Sequence, residues 1–266
     1  MGKIIAVANQ KGGVGKTTSA VSLAASLADQ GKKILLVDMD PQGNATSGLG
    51  ITARDKTSYE VMINHLPLNQ AIIATSQAGL ALVPSDIRLA AAEVELVGEP
   101  QREFRLDTML KPEAPLYDFV LIDCPPSLSL LTLNALSAAH SVLVPIQCEY
   151  YALEGLSALL DTIDKVRKST NPDLRVEGVL RTMFDPRNRL ANEVSAQLQA
   201  HFGKAVFETL IPRNVRLAEA PSYGLPIIHY DDGSRGAQSY RELAKEVRKR
   251  LRRPAAKKTA GNEAGT

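Results

Sequence analysis

The stretch that most constrains how this chain folds runs from Lys3 to Thr18 and reads KIIAVANQKGGVGKTT. Its first half is a run of apolar residues, several of them β-branched, which predicts a buried strand. Its second half is rich in glycine, and a helical pattern follows over residues 19–30. This order is typical of a phosphate-binding unit, because the loop N–H groups and the positive end of the helix dipole face the same point.

The loop also carries the side chains that hold a nucleoside triphosphate. Lys16 is placed to reach the β- and γ-phosphates, and the Thr17 hydroxyl is placed to ligate Mg²⁺. The common pattern has a glycine six residues before this lysine, whereas here that position is Gln10 and the next residue is a further lysine, Lys11. The predicted phosphate-contacting residues are Lys11, Gly12, Gly13, Val14, Gly15, Lys16, Thr17 and Thr18.

Carboxylates follow two further apolar runs. Asp38 and Asp40 lie two residues apart at the end of a predicted strand, so their side chains point the same way. Asp123 ends the apolar run of YDFVLIDCPP, a Walker B arrangement in which the aspartate holds Mg²⁺, usually through a water molecule. Because the carboxyl ends of parallel strands line one ligand crevice, we expect these carboxylates beside the phosphate loop.

Strands alternate with helical patterns along almost the whole sequence. Beyond the runs already described, strands are predicted over 80–84, 141–147, 177–184 and 206–211, and helices over 153–166 and 235–251. The alternation predicts an α/β fold with a mostly parallel central sheet and helices on both faces. We expect a single domain over residues 1–253 and a disordered polar tail over 254–266.

A further helix is predicted after Ser85 and Asp86, because these residues offer an N-cap. Its apolar residues, which include Ile87, Val94 and Val97, are expected to pack in the core; packing of its alanine-rich face against another subunit is the alternative. Residues 51–78 give little functional information.

The composition predicts the cellular location of the protein and the charge of its binding partner. Two cysteines in 266 residues are too few for a disulfide scaffold, and neither a signal peptide nor an apolar run of membrane-spanning length is present, so we expect a cytoplasmic protein. Residues 241–266 hold nine Lys or Arg and three Glu, whereas the remaining chain holds 22 basic and 26 acidic residues. A basic end favours an anionic partner, nucleic acid or membrane; a solvated helix with a charged tail explains it equally well.

The loop sequence KGGVGKTT resembles the deviant Walker A motif of the ParA/MinD group of P-loop ATPases. In that group the early lysine reaches the partner's phosphates across a nucleotide-sandwich homodimer, so the resemblance gives this role to Lys11 and implies ATP with Mg²⁺ as cofactors. DMDPQGN resembles the group's switch I, and residues 125–131 resemble its switch II. The resemblance makes Asp40 the residue that orients the attacking water and places Asp38 in the outer metal shell.

Three blocks look specific to the chromosome- and plasmid-partitioning branch, ParA/Soj: DMDPQGNATSGLG, IQCEYYALEGL and IPRNVRLAEAPSYG. The resemblance implies a nucleoid-associated ATPase that dimerises on ATP, binds double-stranded DNA without sequence preference, and hydrolyses ATP under stimulation by a ParB-type partner. Pro212 and Asn214 match residues that approach the adenine base in this branch, although Pro-Arg-Asn can equally form a plain turn.

Non-specific DNA binding requires Lys and Arg side chains that contact phosphates rather than side chains that read bases. In the Soj branch, arginines matching Arg187 and Arg216 have this role. Any one of these charges can equally be a solvated surface group, and Arg213 is a candidate for either the DNA face or the nucleotide site. The predicted DNA-binding residues are Arg187, Arg189, Arg216, Arg235, Lys245 and Arg248.

Two other classes remain as alternatives. A MinD-like membrane-associated positioning ATPase requires a carboxy-terminal amphipathic helix with bulky apolar residues, and the sequence after Leu251 has none. A metabolic ATP-dependent enzyme of the dethiobiotin-synthetase type requires a pocket for a small acceptor, for which we find no evident motif.

Overall fold

The computed structural model describes residues 2–52 and 55–251, and the tail predicted over 254–266 lies outside this part of the chain. Its centre is one eight-stranded sheet in the order β3-β4-β2-β5-β1-β6-β7-β8. Neighbouring strands pair in parallel, apart from the short antiparallel pair β3 and β4. The strands are β1 (Lys3–Val7), β2 (Ile34–Asp38), β3 (Ile73–Ala74), β4 (Leu80–Val83), β5 (Phe119–Asp123), β6 (Ser141–Gln147), β7 (Arg175–Phe184) and β8 (Val206–Pro212).

Helices cover both faces of this sheet, as predicted. Alternate residues of β1 show the division, since Ile4 and Ala6 belong to one apolar core and Ile5 and Val7 to the other. The α-helices of the described residues are α1 (Lys16–Asp29), α2 (Asn44–Gly48), α3 (Ser58–Ile63), α4 (Ala92–Glu95), α5 (Arg105–Leu110), α6 (Leu130–Ala138), α7 (Ala152–Ser169), α8 (Arg189–Phe202), α9 (Val215–Glu219), α10 (Ile227–Tyr230) and α11 (Arg235–Leu251). Short 3₁₀ turns connect several of them.

The register of the three central strands determines where a ligand site forms. Val7 of β1 and Asp38 of β2 both lie level with Asp123 of β5. The three strands therefore end side by side, and the loops that follow them leave from one edge of the sheet. In a parallel sheet this carboxyl edge is the ligand-binding edge.

At the β8 end of the sheet, helix α11 covers part of the strand's backbone. The Glu246 carboxylate accepts hydrogen bonds from the backbone N–H groups of Glu208 and Thr209, both at 2.9 Å. One turn later, Arg250 donates to the Val206 carbonyl at 2.8 Å and lies over the Phe207 ring, 3.9 Å from its centroid. An edge strand normally leaves such groups unpaired, so these two side chains take the place of a neighbouring strand.

The helix predicted after Ser85 is wrong in length and in burial. Asp86 caps the Arg88 N–H as expected, but a 3₁₀ turn over Ile87–Ala91 follows, and α4 is a single turn. Val94 is 75% exposed and Val97 is 67% exposed, and Ile87 is exposed as well. A short helix of this kind can bury only one side, and the structure buries Leu89 and Ala92 there.

Helix α3 lies within residues 51–78, for which no function was predicted. Its N-cap is Thr57, whose hydroxyl accepts from the Tyr59 N–H, while the Glu60 carboxylate accepts from the Thr57 N–H at 2.8 Å. This is a capping box, and the spacing of Thr57 and Glu60 is a sequence signal that could have located the helix start.

Candidate nucleotide site

The phosphate loop leaves β1 and enters α1 directly at Lys16. Gly13 and Gly15 have φ angles of 73° and 85°, a left-handed backbone that a side chain at either position would strain. Buried Asn9 fixes the start of the loop, since its amide donates to the Pro145 carbonyl at 2.7 Å and its Oδ1 accepts from the Lys11 N–H at 3.0 Å. The loop is therefore held open by its own backbone and tied to β6.

Lys16 lies inside the loop rather than on the surface. Its side chain is buried, and Nζ donates to the Lys11 carbonyl at 3.1 Å. Burial lowers the pKa of this amine, and the nearby carboxylates of Asp123 and Asp40 oppose the shift. A cation held this way is positioned to meet phosphate oxygens without having to move from solvent.

The two strand-end aspartates Asp38 and Asp123 face each other in fully buried positions. Asp38 accepts hydrogen bonds from the Thr46 hydroxyl at 2.6 Å, the Thr46 N–H at 2.9 Å and the Asp40 N–H at 3.2 Å. Burial raises the pKa of Asp38 to about 6, and the hydrogen bonds from Thr46 act in the opposite direction. Asp38 therefore anchors the start of α2, which forms where a mobile switch loop was expected.

Asp40 lies two residues beyond the end of β2. Its charge raises the pKa of Lys16, in the direction opposite to the effect of burial. It is buried, with Oδ1 accepting from the Gln42 N–H at 3.0 Å. Oδ2 accepts no hydrogen bond from the described residues, so one oxygen remains to accept a hydrogen bond from a water molecule.

Lys11 is the exposed lysine of the loop. Its Nζ lies 2.6 Å from the Glu149 carboxylate, with 43% and 46% of the two side chains exposed. Glu149 follows β6 and precedes an exposed aromatic pair, Tyr150 and Tyr151, whose rings meet edge to face at 5.0 Å. The contact between Glu149 and Lys11 was not predicted, because two residues 138 positions apart form no local sequence pattern.

A cavity of about 340 Å³ adjoins Gly15 and Thr18 at the start of α1. Pro212 and Asn214, the predicted adenine-contacting residues, both line it. The Asn214 Oδ1 accepts from the Arg216 N–H at 2.8 Å and caps α9, which leaves the amide NH₂ for a base. The turn interpretation and the base-contact interpretation of this segment are thus compatible.

Thr182 and Met183, at the end of β7, also line this cavity and had not been predicted. The Thr182 hydroxyl donates to the Val14 carbonyl at 2.8 Å and so fixes the phosphate loop. Met183 has a φ of 50°, a left-handed backbone that is costly for a side chain of this size. Strain of this kind persists where neighbouring contacts enforce it, and the Met183 terminal methyl lies 3.9 Å from the position that a Cβ atom would take on Gly15.

We predict that Met183→Gly weakens ATP binding about tenfold but leaves binding of inorganic triphosphate unchanged, because it removes only an apolar contact to the base. The glycine relieves the left-handed strain but gives the unfolded chain more freedom, and because these effects oppose each other the melting temperature should change little. Calorimetric titration with both ligands measures the effect, with Met183→Leu as the matched control that keeps the contact. Equal losses for the two ligands would show that Met183 does not contact the base.

Several known proteins resemble this chain in sequence or in structure. A family model described as an AAA domain matches residues 2–176. The chromosome partitioning protein ParA of Myxococcus xanthus is 56% identical over 252 residues, covering 94% of this chain and 89% of that protein. The chromosome-partitioning ATPase Soj of Thermus thermophilus is 54% identical over 247 residues, covering 93% of this chain and 96% of that protein. The chain belongs to the ParA/Soj family of chromosome-partitioning ATPases.

As a member of this family, the chain is an ATPase. Solved structures that resemble it contain nucleotide and magnesium. Crystal structures of a protein named cobyrinic acid a,c-diamide synthase from Mycobacterium smegmatis hold magnesium with ADP or an ATP analogue. They are 38% identical to this chain, with a TM-score of 0.82, and cover 94% of it and 96% of their own chain. The predicted cofactors, ATP and Mg²⁺, are confirmed at this level.

The residues of this chain fit a hydrated Mg²⁺. Among the described residues, neither oxygen of the fully buried Asp123 accepts a hydrogen bond of normal geometry, although the Thr17 hydroxyl lies nearby. Burial, followed by the charge of Asp38, raises the pKa of Asp123 well above its usual range. A cation would satisfy these oxygens and stabilise their charged form.

No group of three or more His, Cys, Asp or Glu side chains in residues 2–52 and 55–251 could hold a metal ion alone. Mg²⁺ bound with nucleotide needs few protein ligands, since phosphates and water supply the others.

The structure separates the predicted DNA-binding residues into two groups. Arg187, Arg189 and Arg216 follow the carboxyl ends of β7 and β8, beside the nucleotide site, and Arg235 opens α11. Arg248 lies about 20 Å further along α11 and lines a different cavity at the opposite edge of the sheet. Lys245, between the two ends, pairs with Glu242 at 2.7 Å. The six residues therefore do not form one continuous patch.

Proposed function

We propose that this chain is an ATP-dependent DNA-partitioning switch. ATP binding produces a homodimer, the dimer binds double-stranded DNA without sequence preference, and a ParB-type partner stimulates hydrolysis, after which monomers leave the DNA. The proposal places the protein in the cytoplasm, on the nucleoid. The observation that carries it is the position of Lys11, an exposed cation at the entrance of a loop whose other lysine is buried.

Within the described part of the chain, the Lys11 side chain is held only by a surface ion pair. Such pairs contribute about 0–1 kcal/mol, so the contact with Glu149 offers little resistance to release. The triphosphate of a second chain would offer Lys11 a more highly charged partner than one carboxylate. The exposed pair Tyr150 and Tyr151 beside Glu149 supplies apolar area of the kind that protein interfaces use.

The switch would respond to the γ-phosphate through segments anchored in the site. Asp40 and α2 follow β2, and residues 125–131 follow Asp123, so both segments leave the carboxyl edge beside the phosphate loop. Contacts between such segments and a γ-phosphate are made when ATP binds and lost after hydrolysis. This arrangement supports a nucleotide-controlled interaction rather than the transfer of phosphate to a small acceptor.

Helix α11 bears on the membrane alternative. Its apolar stripe, Tyr240, Leu243, Ala244 and Val247, is buried, and the Tyr240 hydroxyl lies 3.0 Å from the Ser19 hydroxyl of α1. Insertion into a bilayer would require this stripe to leave the core. No helix in the described part of the chain has the length and apolar character of a membrane span.

The test is paired sedimentation with random-sequence duplex DNA and with anionic vesicles, each with and without an ATP analogue. We expect ATP-dependent sedimentation with DNA only, weakening steeply as salt rises because phosphate contacts release counterions. Lys11→Ala should bind ATP yet lose DNA sedimentation and dimerisation. Lys111→Ala, which removes another exposed, ion-paired lysine, is the matched control.

Two results would contradict the proposal. Sedimentation with vesicles but not with DNA would favour the membrane-associated class. DNA binding that does not depend on ATP, or that survives Lys11→Ala unchanged, would separate DNA binding from the nucleotide-driven dimer.

A further inference from the structure

A large cavity lies at the edge of the sheet opposite the nucleotide site. It measures about 620 Å³, within the range of cavities that bind small molecules. Residues at or beside the amino ends of four adjacent strands, β5, β1, β6 and β7, form its floor, and the last turn of α11 borders it. No role was predicted for this cavity from the sequence, and the proposed switch does not use it.

Its cationic groups differ in how they are neutralised. Lys32 pairs with Asp118 at 3.0 Å, and Lys3 lies 3.5 Å from Glu177. The guanidinium of Arg175 has no hydrogen-bond or ion-pair partner within residues 2–52 and 55–251. Arg248 donates only to the neutral Gln30 side chain, at 2.9 Å. Two arginines without a carboxylate partner therefore line one cavity.

A neutral donor, His140, lines the same cavity. The His140 Nδ1 accepts the Ile4 N–H at 2.9 Å, so the ring proton is on Nε2, and this nitrogen has no partner among the described residues. Burial, and then the charge of Lys3, lowers the pKa of His140, which keeps the ring neutral at pH 7. The only lining carboxylate without an ion pair in the described structure is that of Asp173.

The contrast with the carboxyl edge is informative. Arg187, Arg189 and Arg216 each form an ion pair with a carboxylate at 2.8–2.9 Å. A phosphate that binds there must compete with a carboxylate of the same protein, whereas Arg175 and Arg248 are unopposed. Planar guanidinium groups match phosphate oxygens in pairs, and a phosphate carries more charge and more acceptor oxygens than a carboxylate.

We propose that this cavity is a second binding site for a phosphate group, separate from the nucleotide site, held by Arg175 and Arg248 with His140 Nε2 as an additional donor. The phosphate belongs either to a small phosphorylated molecule or to the backbone of nucleic acid. The chemistry is the same in the two cases, and the experiment distinguishes them.

The experiment titrates inorganic triphosphate into the full chain while an ATP analogue and Mg²⁺ saturate the phosphate loop. We expect one triphosphate per chain by calorimetry and a shift of the His140 ring signals by NMR. The double variant R175Q/R248Q should lower the affinity at least about tenfold for each arginine, since each loses a charge-assisted hydrogen bond. Asp173→Asn should raise the affinity a few-fold, because it removes an opposing charge.

Arg102→Gln, which removes an arginine that is paired with Glu103 outside the cavity, is the matched control and should leave triphosphate binding unchanged. All variants change exposed or half-buried charges, so unchanged binding of the ATP analogue verifies that they fold. The proposal is overturned if the saturated protein takes up no triphosphate, or if Arg102→Gln weakens binding as much as the double variant does.

Competition with a short duplex identifies the source of the phosphate. Displacement of triphosphate from the wild-type chain by the duplex assigns the site to nucleic acid. Triphosphate binding that the duplex does not disturb assigns it to a small phosphorylated molecule. Both results support the phosphate site.

Discussion

Lys16→Ala is expected to abolish ATP binding, with the affinity lowered at least about 100-fold. The buried Nζ is already aligned inside the loop, so its loss removes two charge-assisted contacts, worth about 3 kcal/mol together, to the β- and γ-phosphates. It also leaves the nearby carboxylates of Asp40 and Asp123 without their closest cation. Isothermal titration with MgATP measures the change.

Lys11→Ala is the informative comparison, because it removes a lysine from the same loop but from its exposed face. That variant should still bind ATP as a monomer. The folded state of Lys16→Ala is checked by its far-ultraviolet circular dichroism. If folded Lys16→Ala bound ATP normally, the phosphate site would have to lie elsewhere.

The second large effect is expected at Asp40. Asp40→Ala should bind ATP with near-normal affinity but hydrolyse it about 100-fold more slowly, because no carboxylate orients the attacking water. Under the proposed switch the variant then accumulates as a DNA-bound dimer. Steady-state phosphate release and DNA sedimentation of the same sample measure the two consequences.

Asp40→Asn separates charge from loop geometry. Its amide oxygen can still accept the Gln42 N–H, as Oδ1 of Asp40 does at 3.0 Å, so the loop keeps its shape while the carboxylate is lost. We expect Asp40→Asn to be as slow as Asp40→Ala. Normal turnover by either variant would remove Asp40 from the hydrolytic role.

Features set by local sequence were predicted well. The bounds of β6 and α11 were predicted to the residue, and Asp123 lies at the end of β5 as expected. These elements have continuous apolar runs or a clear helical period, and the sheet then buries them in the way their pattern requires. The strand, the glycine-rich loop and the helix that follows it were also located correctly, because all three are contiguous in the sequence.

What could not be predicted depends on contacts between distant residues. Glu149 reaches Lys11, and Thr182 reaches Val14 across 168 residues, and neither partner belongs to a local motif. Arg248 looked like part of one basic surface because charge on a helix says nothing about which end of the sheet the helix reaches. Ile87 and Val94 were assigned to the core by polarity alone, although tertiary contacts determine burial.

Helix α11 has a consequence for assembly through its contact with β8. Glu246 and Arg250 occupy backbone groups with which a strand from another molecule would have to pair. If copies of this chain assemble on DNA as the proposed function requires, this edge would therefore be protected from pairing with a strand of another copy. Any ordered array would have to form through side-chain surfaces, which can separate again when the nucleotide is spent.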